Sequence, residues 1–390
     1  MNRRKFIQSA ALGSASFAVN LSLLNLKPLE SSSASMREKE RFDWIFLYWM
    51  PYDNDLSRFG QPILEMLEKG VRSDSILVAV ESDLWGEKNL SRRVFAKDRL
   101  EVEQLETANS ASEEVFAEYL NWANSRFAAE KWAIVFLGHG GRLDEISPDE
   151  NTGTIQFETE WMNIKKLSDV IQEFNKKIGK PVELLFLQNC NKATIEVHYT
   201  FREAARYTLA SQKLLGAPNY YYEQVLQFLG GNPGVSGGQL AEKIMEYERP
   251  DMYSSYTVTE NRHLRDLPAR LNPLIDEILS SLSSDMPAIS RSDLKPYLYR
   301  DELFADAVFL LTALAKRSGS AEKRCNEFVE FLKTSVIYRY QQNPQKLNPD
   351  LSGLGLLLPR NKRQIEQYRY LPAFSDLKLA ELFEAILSDG

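Results

Sequence analysis

The sequence holds two cysteines and three histidines, and one of each follows a short apolar run. Cys190 comes just after Glu183–Leu187, and His139 lies in Gly138-His139-Gly140-Gly141 just after Ala133–Leu137. A thiol attacks a carbonyl only as its thiolate, so it needs a base or a positive potential close by. The chain between the two residues is long enough for a loop, a helix and a return to an adjacent parallel strand. Such strands lie about 4.8 Å apart, so side chains at their ends can reach one substrate carbonyl. A helix starting near Lys192 would turn unpaired N–H groups toward Cys190 and lower its pKa. The glycines after His139 let the backbone come close. The Gly140 and Cys190 N–H groups then form a candidate oxyanion hole, worth roughly 3 kcal/mol per donor. His139 and Cys190 are the candidate catalytic pair.

Taken singly, a cysteine after a strand is usually a small buried hydrophobe and a His-Gly-Gly run a tight turn. Their joint placement at two strand ends, one beside glycines and one beside a helix start, favours catalysis. Other candidates have plainer readings. His198 reads as structural or surface, and His263 as part of a polar linker. Asp53, Asn54 and Asp55 read as a helix cap. Asp144, Glu145, Asp149 and Glu150 read as a solvated acidic loop rather than a calcium site. No metal site is expected, since so few histidines and cysteines leave little for zinc or iron–sulfur ligation. No phosphate loop follows a strand, and the Gly-x-Ser-x-Gly elbow of serine hydrolases is missing.

The elements needed to hold this pair are legible as a pattern. Strands are predicted over Trp44–Met50, Ser75–Glu81, Arg92–Phe95, Ala133–Leu137 and Glu183–Leu187. Helices are predicted from Asn54 or Asp55 to Glu68, over Val115–Phe127 behind a Ser110/Glu113 capping box, over Ile164–Lys177 and over Lys192–Ala205. A polar loop is expected from Arg142 to Gly153. The alternation implies an α/β fold with a mostly parallel central sheet and a ligand crevice beyond its carboxyl ends. Beyond Pro250 the pattern turns largely helical, up to a late strand at Leu354–Pro359. The expected organisation is an export signal over 1–35, a catalytic domain over 40–250, and a smaller, largely helical C-terminal domain over 251–390.

Of the 390 residues, 44% are hydrophobic and 26% charged, the balance of an ordinary globular protein. The formal net charge of −7 gives no basic surface for nucleic acid. Arg3, Arg4 and Lys5 precede a mildly apolar run, and Asn2-Arg3-Arg4-Lys5-Phe6 resembles a twin-arginine export signal. Removing it would leave a net charge of about −10. The run is too polar for a stable membrane anchor. The expectation is a monomer exported to the periplasm or secreted, without a disulfide between Cys190 and Cys325.

Several stretches resemble the clostripain family of cysteine peptidases, part of the caspase-like clan. These are Trp44–Met50 with Asp53-Asn54-Asp55-Leu56, Gly138–Gly141, Cys190 with Ala193–Val197, Tyr207–Ser211, and Gly353–Pro359. Gln188-Asn189-Cys190, with a histidine some fifty residues upstream, also fits half of the caspase signature. The resemblance implies a caspase-like three-layer sandwich and a Cys–His dyad that cuts peptide or protein substrates after basic residues. In some members it further implies calcium dependence and activation by internal cleavage; no other cofactor is expected. It puts Gln188, Ser211 and Pro218 at the primary substrate pocket. There the sequence departs from the family, which carries an Asp two residues before the nucleophile and a second Asp at the position of Pro218. An arginine bound without a carboxylate loses a charge-assisted pair, so the Arg/Lys preference is expected to be altered. Three readings follow: a peptidase, a catalytically inactive exported binding relative, and a redox protein, the last disfavoured by the scarcity of ligands.

Overall fold

The protein is described here from a computed structural model covering residues 38–107, 109–150, 159–281 and 290–388. The export signal expected over 1–35 and residues 151–153 of the predicted polar loop lie outside the described residues.

The strands in chain order are β1 (Glu40–Tyr52), β2 (Ile76–Leu84), β3 (Ser91–Ala96), β4 (Arg99–Gln104) and β5 (Phe127–Phe136). They continue with β6 (Glu145–Asp149), β7 (Glu160–Asn163), β8 (Val182–Leu187), β9 (Ala205–Ala210) and β10 (Ser255–Glu260). The last four are β11 (Tyr297–Tyr299), β12 (Glu302–Asp306), β13 (Ile337–Gln342) and β14 (Gly355–Leu357). Nine of them form one sheet in the order β13-β10-β9-β8-β5-β1-β2-β3-β4. Its centre, from β9 to β2, is parallel, and both margins are antiparallel.

The near-continuous apolar run of β1 follows from burial on both faces. Ile45, Leu47 and Trp49 pack on one side with α2 (Glu113–Arg126) and α3 (Ile164–Ile178). Trp44, Phe46, Tyr48 and Met50 pack on the other, with α1 (Gly60–Gly70), α5 (Tyr222–Gly231) and α6 (Gly237–Tyr247). This alternation of period two makes the expected three-layer sandwich. Between α3 and α5 lies the six-residue α4 (Ile195–Thr200).

Several local expectations change. α2 is capped by Ser112, whose side chain accepts from Val115 N, because Ser110 is engaged elsewhere with Asp149. The predicted loop after His139 contains β6, paired antiparallel with β7. The helix expected from Lys192 begins only at Ile195, because Asn191 takes a positive φ of 58° and Thr194 supplies the cap.

Residues 39–390 form one compact unit. The segment after 251 is largely helical, yet it is continuous with the same sheet: β10 and β13 extend it past β9. A small sheet, β11-β12-β14, brings the rest of this segment back to the carboxyl ends of the central strands.

Candidate active site

β5 and β8 are parallel neighbours, with Phe136 opposite Leu187, so both chains leave the sheet side by side. His139 and Cys190 each lie three residues past those strand ends. Asn189 ties the two loops together, its Nδ2 donating to the carbonyls of Gly138 at 3.0 Å and His139 at 3.2 Å. A Cβ on Gly140 would stand 2.2 Å from the Cys190 carbonyl oxygen, so only glycine permits this approach.

His139 Nε2 lies 2.7 Å from Asp55 Oδ1. A carboxylate can only accept, so Nε2 carries the proton and Nδ1 is left as the basic nitrogen. Asp55 is therefore not a helix cap. Asn54 is not one either: its Oδ1 accepts from Leu56 N at 3.0 Å in a turn ahead of the helices, and α1 starts without a side-chain cap. Sequence reasoning missed the Asp55 partnership, because capping explained the residue without it.

The Cys190 thiol is half-buried against Leu215, accepting from Leu215 N at 3.3 Å. Burial pushes its pKa up, while Leu215 N–H, the Tyr299 hydroxyl, Arg300 and Lys192 act in the opposite direction. The expected lowering by a helix start is absent, since α4 begins five residues away. Lys192 is itself buried and donates to the carbonyls of Gly141, Arg142 and Leu143, holding the chain that follows His139. Desolvation lowers its pKa to about 8.

The turn between β11 and β12 packs directly on this centre. Tyr299 donates to the Gly140 carbonyl at 2.6 Å, and Arg300 Nε to the same oxygen at 3.3 Å. Arg300 takes a φ of 54°, and Asp301 next to it forms a forked pair with Arg142 at 3.2 and 2.8 Å. No sequence signal pointed to Tyr299 or Arg300, because a hairpin more than a hundred residues downstream carries no local mark of its target.

Gln188 is buried beneath the nucleophile and held on every side. Its Nε2 donates to Asn219 Oδ1 and, at 2.8 Å, to Tyr222 OH; its Oε1 accepts from Tyr221 OH at 2.7 Å. Pro218 adjoins this network through Asn219. Ser211 is buried at the end of β9, its carbonyl accepting from Ala193 N at 2.9 Å, and its hydroxyl from Lys213 N at 3.2 Å. Glu248 is a buried carboxylate beside the network, accepting from Tyr220 N at 3.1 Å and Arg249 N at 2.9 Å. Burial pushes it up to about 7.

The remaining histidines and the second cysteine stand apart. His198 is fully buried, 2.6 Å from Thr259 Oγ1, and desolvation lowers its pKa to about 3. His263 pairs with Glu260 near the surface, and Cys325 is a buried free thiol. A cavity of about 780 Å³ between α7 (Ala307–Ser318) and β13 contains neither the thiol nor His139.

The acidic residues are less exposed than expected. Asp149 and Asp53 are buried, not solvated, and they converge with Asp83. Hard carboxylate oxygens in such a group fit an ion of the calcium class.

The model of the clostripain family matches residues 48–384. The chain belongs to this family. It is accordingly a cysteine-type peptidase by family, and peptides or proteins are the family's substrates. A comparison with curated proteins found no match. Among solved structures, an inactive zymogen C11 protease from Parabacteroides distasonis is 18% identical with a TM-score of 0.64, over 87% of this chain and 98% of that one. A secreted C11 cysteine protease from Bacteroides thetaiotaomicron, in complex with an irreversible peptide inhibitor, is 18% identical with a TM-score of 0.62, over 90% and 99%. At such identity the two share the fold of this family member. Among the described residues, no helix is long and apolar enough to cross a membrane.

Proposed function

We propose that the protein is an exported cysteine endopeptidase using Cys190 as nucleophile and His139 as acid and base. The observation that carries this reading is the convergence of the two loops, with Asn189 bridging them and His139 oriented by Asp55. In the reaction, His139 takes the Cys190 thiol proton, Cys190 Sγ attacks the scissile carbonyl, and His139 passes that proton to the departing amine as the C–N bond breaks. The acyl-enzyme is then hydrolysed by water that His139 deprotonates, which frees the thiol. The Gly140 and Cys190 N–H groups hold the oxyanion. The Gly140–Ile146 bridge supports this role, because its bonds run through the flanking residues and leave the Gly140 N–H out of the ladder.

The primary pocket has an amide in place of a carboxylate two residues before the nucleophile, since Gln188 is locked there by Asn219, Tyr221 and Tyr222. We assign it a preference for neutral or polar side chains over arginine and lysine. The twin-arginine-like N-terminus supports export. A positional-scanning peptide library on the mature protein tests the proposal. Cleavage that disappears in Cys190→Ala and His139→Ala supports it, and equal turnover in Cys190→Ala would remove it.

A second reading, a catalytically silent exported binding relative, draws on the Tyr299–Arg300 turn over the thiol and on Gln188. It predicts that folded wild-type protein cleaves no peptide in the library.

A further inference from the structure

We infer that Asp53, Asp83 and Asp149 form a binding site for one hard divalent cation of the calcium class. Asp53 immediately follows β1 and Asp83 is the penultimate residue of β2, where the parallel register sets Pro51 opposite Asp83. Asp149 ends β6. One carboxylate oxygen from each lies within 4.8 Å of the other two. Oxygens bound to a single calcium at 2.3–2.6 Å are separated by at most about 5.2 Å, so the three fit around one ion with little movement.

The local electrostatics favour such a charge. Asp53 and Asp83 are 4% exposed and Asp149 is 0% exposed. Glu150 N donates to Asp53 at 3.3 Å, and Ser110 donates to Asp149 from N at 2.8 Å and from Oγ at 3.4 Å. Asp83 Oδ2 has no hydrogen-bond partner among the described residues. A buried carboxylate oxygen in that state costs free energy unless a proton or a cation neutralises it. The charged groups acting on Asp83 are Asp149, Asp53 and Glu87, all acidic. An all-carboxylate donor set selects a hard ion over zinc or copper.

The position also gives the ion a task. Asp53 stands two residues before Asp55, the partner of His139. Asp149 stands two residues after Ser147, whose N–H donates to the His139 carbonyl at 3.0 Å. A bound ion would tie together the two segments that orient His139; this consequence, unlike the binding itself, rests on the peptidase reading.

Trp49 supplies a built-in reporter. Its Nε1 donates to the Ser110 carbonyl at 3.0 Å, and Ser110 N donates to Asp149, so a lanthanide at the site lies near an indole. The experiment uses the mature protein carrying Cys190→Ala, so that loss of peptidase activity cannot affect the reading. Terbium is added with tryptophan excitation, calcium is used as competitor, and melting temperature is followed in parallel. The expected result is sensitised emission saturating at one ion per chain, displacement by calcium, and a calcium-dependent rise in melting temperature. Asp83→Asn and Asp149→Asn should each weaken binding at least about tenfold. Metal-free Asp83→Asn should melt no lower than its parent, because it removes a buried charge. Absence of both emission and a calcium-dependent melting shift in the parent protein, or undiminished binding in both variants, would overturn the inference and leave a proton-sharing carboxylate cluster.

Discussion

His139 donates from Nε2 to Asp55 at 2.7 Å, which fixes the imidazole as the tautomer with a basic Nδ1. The Asp55 side chain is 71% exposed, so the pair adds little to stability. Its effect falls on orientation and on the charge that develops when the ring takes a proton. Asp55→Asn should lower kcat by roughly tenfold with KM little changed. Steady-state kinetics on folded protein check this. Unaltered kinetics would reduce Asp55 to a surface contact.

The amide of Gln188 is the feature most directly tied to specificity. Gln188→Asp places a carboxylate beneath the primary side chain, within the same set of tyrosines. Library cleavage should then shift toward arginine and lysine by at least about tenfold, the range of a buried charge-assisted pair. A P1 profile identical to wild type would show that Gln188 does not line the pocket.

Tyr299 covers the nucleophile from a distant part of the chain. Its hydroxyl bonds the Gly140 carbonyl and faces the thiol, which is held up in pKa chiefly by burial. Tyr299→Ala should open the thiol and speed its alkylation by iodoacetamide several-fold, read by mass spectrometry against Cys325 as an internal reference. An unchanged or slower rate would mean that the turn does not limit access.

Glu248 gives stability a pH dependence of known sign. Its folded pKa of about 7 stands above the ordinary value of 4.5, with burial the largest cause. Below about pH 4.5 both folded and unfolded forms are protonated and the contribution is complete. Between about pH 4.5 and 7 the unfolded chain loses the proton first, so stability falls as pH rises. The total loss is roughly 3 kcal/mol. Glu248→Gln should abolish that part of the slope in denaturant unfolding measured from pH 4 to 8.5.

Much of this architecture is written locally. The apolar runs of β1, β5 and β8, with the helices between them, announce a parallel sheet and put His139 and Cys190 at adjacent strand ends. The small errors are also local: Ser112 and Ser110 compete for one cap, and a positive φ at Asn191 delays α4 beyond the point its composition suggests. What stays hidden depends on long-range packing. Asp55 looks like a cap until His139 is folded against it, and Asp149 looks solvated until Asp53 and Asp83 close over it. Tyr299 and Arg300 reach the centre only because β11–β12–β14 folds back on the sheet. The segment after residue 251 reads as separate because its helices outnumber its strands, yet two of those strands complete the central layer.

The most direct measurement is labelling of the mature protein with an electrophilic peptide probe, followed by peptide mapping. The account predicts one adduct, on the peptide containing Cys190, lost in Cys190→Ala and strongly slowed in His139→Ala. Peptide cleavage by the folded protein with no adduct at Cys190, or with labelling that His139→Ala leaves unchanged, would contradict it.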